Sequence, residues 1–230
     1  MKCTVIIPAA GSGTRFGGET PKQFFTLRGR PLIAHAVERF LGETVVDRVI
    51  ICGAPEHLST LERFSAGRAW DRVAIIEGGD TRRDSVAAGV RAAGQTSVEL
   101  VAVHDAVRPF FGASTFRAVL EAAAASGAAL PALRITETIH RVEEGFVAET
   151  PDRNHYYSAQ TPQCFRIELL REVLDRAIEE GYPATDEAGA VARYGHRVKI
   201  VTGDLTNIKI THPEDLQAAE LNFDRWAMQI

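Results

Sequence analysis

Short, continuously apolar runs alternate with helical stretches through the first 130 residues, and this alternation narrows the possible architectures to very few. Residues 4–8 (TVIIP), 48–52 (RVIIC), 73–76 and 100–104 read as strands, with a further short strand at 128–133. Residues 31–41, 56–64, 82–93 and 114–125 read as helices, the first with a proline in its opening turn. The strands are hydrophobic at every position rather than every second one, so both faces of their sheet must be covered. The repeat predicts an α/β fold in three layers, doubly wound, with a mostly parallel sheet. In such folds ligands sit beyond the carboxyl ends of the strands. A length of 230 residues with no linker or repeat predicts a single domain over 1–230.

The pattern breaks after residue 133. Residues 134–142 (RITETIHRV) read as extended, Glu143-Glu144-Gly145 as a turn, and 146–150 as the returning strand. The segment at about 134–157 is therefore expected to protrude as a β-hairpin arm. A lone hairpin is marginal in water. It must pack on something, either a second subunit, giving a homodimer through the arm, or its own sheet. The last third reads as helices at 167–180 and 186–194, the latter with Thr185 as N-cap, then a strand at 198–201 and a helix at 213–222 opened by Pro213.

Composition excludes several partners. Twenty-six basic residues against 30 acidic give −4, so no basic excess points to nucleic acid or a membrane surface. No apolar run approaches the roughly 18–20 residues that span a bilayer. The apolar run at 5–10 is too short for a signal-peptide core and leads straight into a glycine-rich loop, so it reads as a buried strand. Three cysteines, Cys3, Cys52 and Cys164, with no CxxC spacing argue against disulfides and zinc, and for a reducing cytoplasm.

The loop itself is Pro8-Ala9-Ala10-Gly11-Ser12-Gly13-Thr14-Arg15. Free N–H groups at a strand end make an anion cradle; the plain alternative is a tight turn with no ligand. It is not a Walker A loop, because Gly17 is followed by Gly18 rather than Lys. It is a poor dinucleotide fingerprint, because Gly17 falls one residue late and the second strand ends in Cys52-Gly53 with no acid. Two cations, Arg15 and Lys22, flank the glycines. Such a pair can neutralise polyphosphate and the charge that grows in a phosphoryl-type transition state.

P-A-A-G-S-G-T-R-F and P-K-Q-F resemble the signature of the 2-C-methyl-D-erythritol 4-phosphate cytidylyltransferases of the non-mevalonate isoprenoid pathway. The resemblance continues through G-G-D-T-R-R-D-S-V (78–86), V-H-D-A-V-R-P-F (103–110), D-R-N (152–154), T-P-Q (161–163), T-D-E-A (185–188) and N-I-K-I-T (207–211). It spans the chain end to end. It implies a nucleotide-diphospho-sugar transferase-like variant of the Rossmann fold, with CTP and a polyol phosphate as substrates. It implies that Gly79, Asp80 and Ser85 contact cytosine, beside Ala9, Ala10, Gly11, Gly13 and Ala106 on the nucleotide. On residues alone, Asp80 could equally be a helix N-cap. The resemblance also implies that Thr138, Arg153, Thr161 and Lys209 bind methylerythritol phosphate, with the arm residues donated across a two-fold interface.

Asp105, at the end of a central strand, is placed to hold Mg²⁺ or another divalent cation and to meet the second substrate. Asp204 is a possible second acid. Arg108 could grip the second substrate's phosphate in bidentate fashion, and His104 reads as a structural hydrogen-bonding residue. In the mechanism implied, a phosphate oxygen of the acceptor attacks the α-phosphorus of CTP and expels pyrophosphate. A phosphate monoester is largely dianionic at neutral pH, so no protein base is needed. Arg15, Lys22, Arg153 and Lys209 carry the catalysis in this scheme. The rivals are a ribitol-5-phosphate cytidylyltransferase, a non-catalytic nucleotide-binding module and, weakened by the missing acid, a dinucleotide oxidoreductase.

Overall fold

The computed structural model describes residues 2–11, 20–94 and 98–228. Strand β1 (Cys3–Ala9) is followed by a two-strand ribbon, β2 (Thr26–Leu27) and β3 (Arg30–Pro31), and helix α1 (Leu32–Leu41). Then come β4 (Val46–Gly53), α2 (Leu58–Ser65), β5 (Val73–Glu77), α3 (Arg82–Ala93), β6 (Leu100–Val103), α4 (Ala113–Ser126) and β7 (Ala128–Arg134). The hairpin β8 (Arg141–Glu143) and β9 (Phe146–Glu149) precedes β10 (Tyr157–Ala159), β11 (Gln163–Arg166), α5 (Ile167–Glu179), α6 (Glu187–Arg193), β12 (Lys199–Thr202) and α7 (Pro213–Met228).

The main sheet has eight strands in the order β10-β7-β11-β6-β1-β4-β5, with β12 added to β7. β5, β4, β1 and β6 run parallel, as does β12 with β7. The exceptions are β10 and β11, which run antiparallel to β7, with β11 also antiparallel to β6. Helices cover both faces, as the continuously apolar strands require. Val5, Ile7, Val49 and Ile51 point into a core shared with α1 and α4. Their neighbours Ile6, Ile50, Val101 and Val103 point the other way, into a core with α3 and α5. Each such side chain, once buried, contributes about 1.5–3 kcal/mol. A third, smaller cluster of Leu27, Leu32, Val107, Phe110, Ile210 and Ala219 seats α7 beside the ribbon.

Several local expectations need correcting. Pro31 stands just before α1 rather than in its first turn. The N-cap of α6 is Asp186, whose carboxylate accepts from Gly189 N at 2.8 Å, not Thr185. The cap of α3 is Thr81, accepting from Asp84 N at 3.1 Å, which leaves Asp80 out of that role. β10 and β11 were not foreseen. Strand β7 ends at Arg134, and no strand resumes until Arg141.

The arm is a true hairpin. Arg141 pairs with Glu149 and Glu143 with Phe146, and Glu144 (φ 49°) and Gly145 (φ 86°) make a two-residue turn of the kind that matches strand twist. Its two strands form a sheet of their own, separate from the main one, and every residue from 140 to 150 is exposed. Among the described residues no helix is long and apolar enough to cross a membrane.

Candidate active site

The carboxyl ends of β1, β5 and β6 open onto one cleft of about 650 Å³, counting its open mouth, a size ordinary for a small-molecule site. Each wall follows from local sequence. The β1 wall is Ala9, Ala10 and Gly11. It is pinned by Gln23, a nearly fully buried side chain whose Nε2 donates to Ala9 O at 2.8 Å and Gly11 O at 3.2 Å. Gln23 sits in the single 3-10 turn Lys22–Phe24, so the same turn that fixes the loop aims Lys22 at the cleft. Gly13 and Arg15, expected in the same cradle, lie outside the described residues.

The β5 wall is Gly79, Asp80 and Thr81, leading into α3. Glycine is required at 78 and 79, because a Cβ at Gly78 would meet Ser85 Oγ at 2.8 Å and one at Gly79 would meet Asp84 Cβ at 2.5 Å. Ser85 is wholly buried; its Oγ accepts from Gly79 N at 3.1 Å and lies 3.0 Å from the carbonyl of Thr81. Its hydroxyl thus shapes the loop while lining the cleft.

Asp105, Ala106 and Val107 form the β6 wall. Asp105 is ringed by cations. Lys209 Nζ lies 2.9 Å from Oδ2, Arg108 Nε 3.4 Å from Oδ2, and Arg82 3.4 Å from Oδ1. Burial works against its charge, but the guanidinium of Arg82, the Lys209 ammonium and Arg108 outweigh it and hold the carboxyl well below the usual range. Lys209 reaches the cleft because its neighbours anchor the segment: Ile210 is fully buried and its N–H donates to Val107 O at 3.0 Å.

Other expected residues lie elsewhere. Arg108 is buried and donates to Asn207 O at 2.7 Å, so it braces Asp105 from behind instead of facing the cleft. Thr161 is likewise internal: its Oγ1 accepts from Asp105 N at 3.1 Å and lies 3.0 Å from His104 Nδ1. His104 is structural, as expected, with Nε2 3.0 Å from Arg108 O. Burial pushes its pKa down to about 4, so the ring is neutral and Nε2 carries its proton. Asp204 turns its carboxylate to Thr206, 2.8 Å from both N and Oγ1. Thr138 and Arg153 are exposed on the arm, Arg153 donating to Thr136 O.

Sequence reasoning missed two further charges. Arg82 lines the cleft and grips the buried Glu187 with both prongs. The strings T-R-R-D and T-D-E-A contain them, but nothing in their spacing pairs residues 105 positions apart.

The residues do not fit a divalent cation held by protein carboxylates. Asp105 already faces three cations, Glu187 is locked to Arg82, and among the described residues no group of three or more acid, His or Cys side chains could hold a metal.

A cleft at the carboxyl edge of a parallel sheet, floored by close-packed glycines and rimmed by ammonium groups, suits the transfer of a nucleotidyl group, and the chain is a nucleotidyltransferase. Comparison narrows the class. The model of the family described as "IspD: 2-C-methyl-D-erythritol 4-phosphate cytidylyltransferase" matches residues 3–225. The protein of that name from Symbiobacterium thermophilum is 39% identical over 227 residues, covering 98% of this chain and 94% of its own. The crystal structure of the enzyme so named from Thermus thermophilus superposes with a TM-score of 0.78 at 35% identity, covering 96% of this chain and 98% of that one. That of the 4-diphosphocytidyl-2C-methyl-D-erythritol synthase from Anaerococcus prevotii superposes at 0.86 with 25% identity, covering 97% and 96%. The chain belongs to this family of cytidylyltransferases, enzymes of isoprenoid biosynthesis.

Proposed function

We propose that the cleft transfers the cytidylyl group of CTP to 2-C-methyl-D-erythritol 4-phosphate, releasing pyrophosphate and 4-diphosphocytidyl-2-C-methyl-D-erythritol. The triphosphate lies along Ala9, Ala10 and Gly11, with Gly13 and Arg15 added from the sequence. The base lies against Gly79, Asp80, Ser85 and Ala106. Ser85 acts chiefly by fixing the Gly79 peptide that the base meets. An acceptor phosphate oxygen forms a bond to the α-phosphorus as the bond to the bridging oxygen breaks, and the pair of electrons leaves with pyrophosphate. Lys22 and Arg15 stabilise the charge that shifts onto the α-phosphate and leaving group. Lys209 and Arg153 hold the attacking phosphate, and Asp105, kept ionised by its cations, accepts from an acceptor hydroxyl. Arg108 and Thr161 support Asp105 rather than touching the acceptor.

Thr138 and Arg153 do not line the cleft of their own chain, so we assign them to the cleft of a second copy, in a homodimer joined through the arm. Three free, buried cysteines agree with a reducing cytoplasm.

The observation that carries this reading is the convergence of Lys22, Lys209 and Asp105 on the cleft that Gly79 and Ser85 also line. Pyrophosphate release measured over four nucleoside triphosphates, with methylerythritol phosphate and ribitol phosphate as acceptors, tests it. CTP with methylerythritol phosphate is expected to turn over fastest; a preference for another base or for ribitol phosphate refutes it. Lys22→Ala is expected to lose on the order of 10²–10³ in kcat while still binding CTP. Near-parental turnover in that variant removes Lys22 from the mechanism.

A further inference from the structure

Arg82 has two carboxylates within reach and is shared unevenly between them. Its NH1 donates to Glu187 Oε1 at 2.6 Å and its NH2 to Oε2 at 3.2 Å, a two-pronged grip. The same NH2 is 3.4 Å from Asp105 Oδ1, a long contact. The other Asp105 oxygen, Oδ2, has Lys209 at 2.9 Å and Arg108 at 3.4 Å. Oδ1 is therefore the more available acceptor of the two.

Glu187 does not line the cleft, and its side chain is 2% exposed. A buried carboxylate carries a large desolvation cost, which one well-made ion pair only offsets. Its placement is built with care. Gln163 donates to Asp186 Oδ2 at 2.8 Å and accepts from Ala188 N at 3.0 Å, clamping the first turn of α6 on both sides of Glu187. The chemistry above gives Glu187 no substrate to touch.

We infer that Glu187 is a positioning residue that draws the Arg82 guanidinium off Asp105, keeping Oδ1 open to accept a hydrogen bond from a hydroxyl of the polyol-phosphate acceptor. The inference rests on the reading of the cleft given above. Without the Glu187 charge, the nearest carboxylate left to the Arg82 guanidinium is Asp105, already 3.4 Å away, with Asp186 acting on it by charge at longer range. A guanidinium released beside a carboxylate shortens its long contact into a charge-assisted hydrogen bond, here to Oδ1, because Lys209 and Arg108 already hold Oδ2. That closure would fill Oδ1 and compete with the acceptor, while leaving the triphosphate cradle on the β1 wall untouched.

The test is a short series of variants, with initial rates against acceptor concentration and CTP affinity by equilibrium titration. Glu187→Gln is expected to raise the acceptor KM about tenfold or more, the loss of one charge-assisted hydrogen bond, with CTP affinity within about threefold of parental. The double variant Arg82→Gln with Glu187→Gln removes the closing cation as well. It is expected to bring the acceptor KM back to within about threefold of parental. A merely structural role would leave the double variant no better than the single. Glu187→Asp keeps the charge and is expected near the parental KM. The double variant removes both charges of the Arg82–Glu187 pair and so leaves neither partner unpaired, and it carries the comparison with the parent if Glu187→Gln fails to fold. A parental acceptor KM in Glu187→Gln, or a double variant as impaired as the single, overturns the inference. A parent enzyme that releases no pyrophosphate from CTP and methylerythritol phosphate overturns the reading of the cleft itself.

Discussion

The His104 imidazole lies fully buried between the Arg108 carbonyl and the Thr161 hydroxyl, with Phe40 and Phe111 edge-on at 5.0 and 4.8 Å. Burial lowers its pKa from 6.5 to about 4. The unfolded chain therefore binds a proton between those values that the folded chain refuses. Stability contributed by this group is complete above pH 6.5 and is lost progressively as pH falls toward 4. The loss is on the order of 2–3 kcal/mol between about pH 7 and 4.5. Thermal unfolding across that range is expected to show a steeper fall in Tm for the parent than for His104→Gln; matching slopes would remove His104 as the source. The H-D-A-V-R motif exposed the residue types at this site but not the directions of their side chains. Arg108 has the charge to grip a phosphate, yet a carbonyl at Asn207 and a carboxylate at Asp105 lie behind it and turn it inward. Asp105 lies in the same motif, but local sequence carries no information about the Asn207 carbonyl, 99 residues away.

Helix α3 follows the cleft-lining loop Gly79–Thr81 and packs flat on β1 and β4 through Gly89. A Cβ there would stand 2.5 Å from Ile6 Cγ2 and 3.0 Å from Cys52 Sγ, both of them fully buried side chains. Two effects oppose each other in Gly89→Ala. Helix propensity favours alanine by about 0.8–1 kcal/mol, while overpacking a tight core costs about 1–3 kcal/mol. The contact is with a β-branched side chain that has little room to turn, so overpacking is expected to win and the variant to lose about 1 kcal/mol or more. A lower urea midpoint at unchanged slope is the expected result; a midpoint at or above the parent's contradicts the close approach. The elements most readable in the sequence were those whose pattern is self-contained. Parallel strands buried on both faces announce themselves by unbroken apolar runs, and α3 was bounded correctly at both ends. β10 and β11 were invisible because they are short, and one of them, Tyr157–Ala159, is wholly exposed. Their strand character comes from pairing with β7 and β6 far back in the chain. Thr185 and Asp186 are both good caps by residue type; Asp186 takes the role through its bond from Gly189 N, and Gln163, distant in sequence, holds its other oxygen.

The arm presents Val142, Phe146 and Val147 at 57%, 78% and 61% exposure on a hairpin that pairs only with itself among the described strands. Its turn was legible from E-E-G, whereas no local pattern says what its exposed Val142, Phe146 and Val147 meet. A two-stranded ribbon is marginally stable alone in water, and two-fold dimers are the commonest assemblies of soluble chains. If the arm reaches the second copy's cleft, each working site combines Lys22 of one chain with Arg153 of the other. This makes a sharp prediction for mixed dimers. Lys22→Ala and Arg153→Ala homodimers are each expected to be nearly inactive. Unfolded together and refolded at equal concentration, half the dimers are mixed. In each mixed dimer the chain bearing Arg153→Ala keeps its own Lys22 and receives an intact Arg153, while the opposite site lacks both. Activity is then expected to return to about a quarter of parental, one site in two in half the dimers. If Arg153 instead serves its own chain, every site in every combination lacks one of the two cations, and mixing restores nothing. Sedimentation of the mixture reads the assembly independently: dimers without recovered turnover would leave the two-fold pairing standing and remove the exchange of Arg153 between sites.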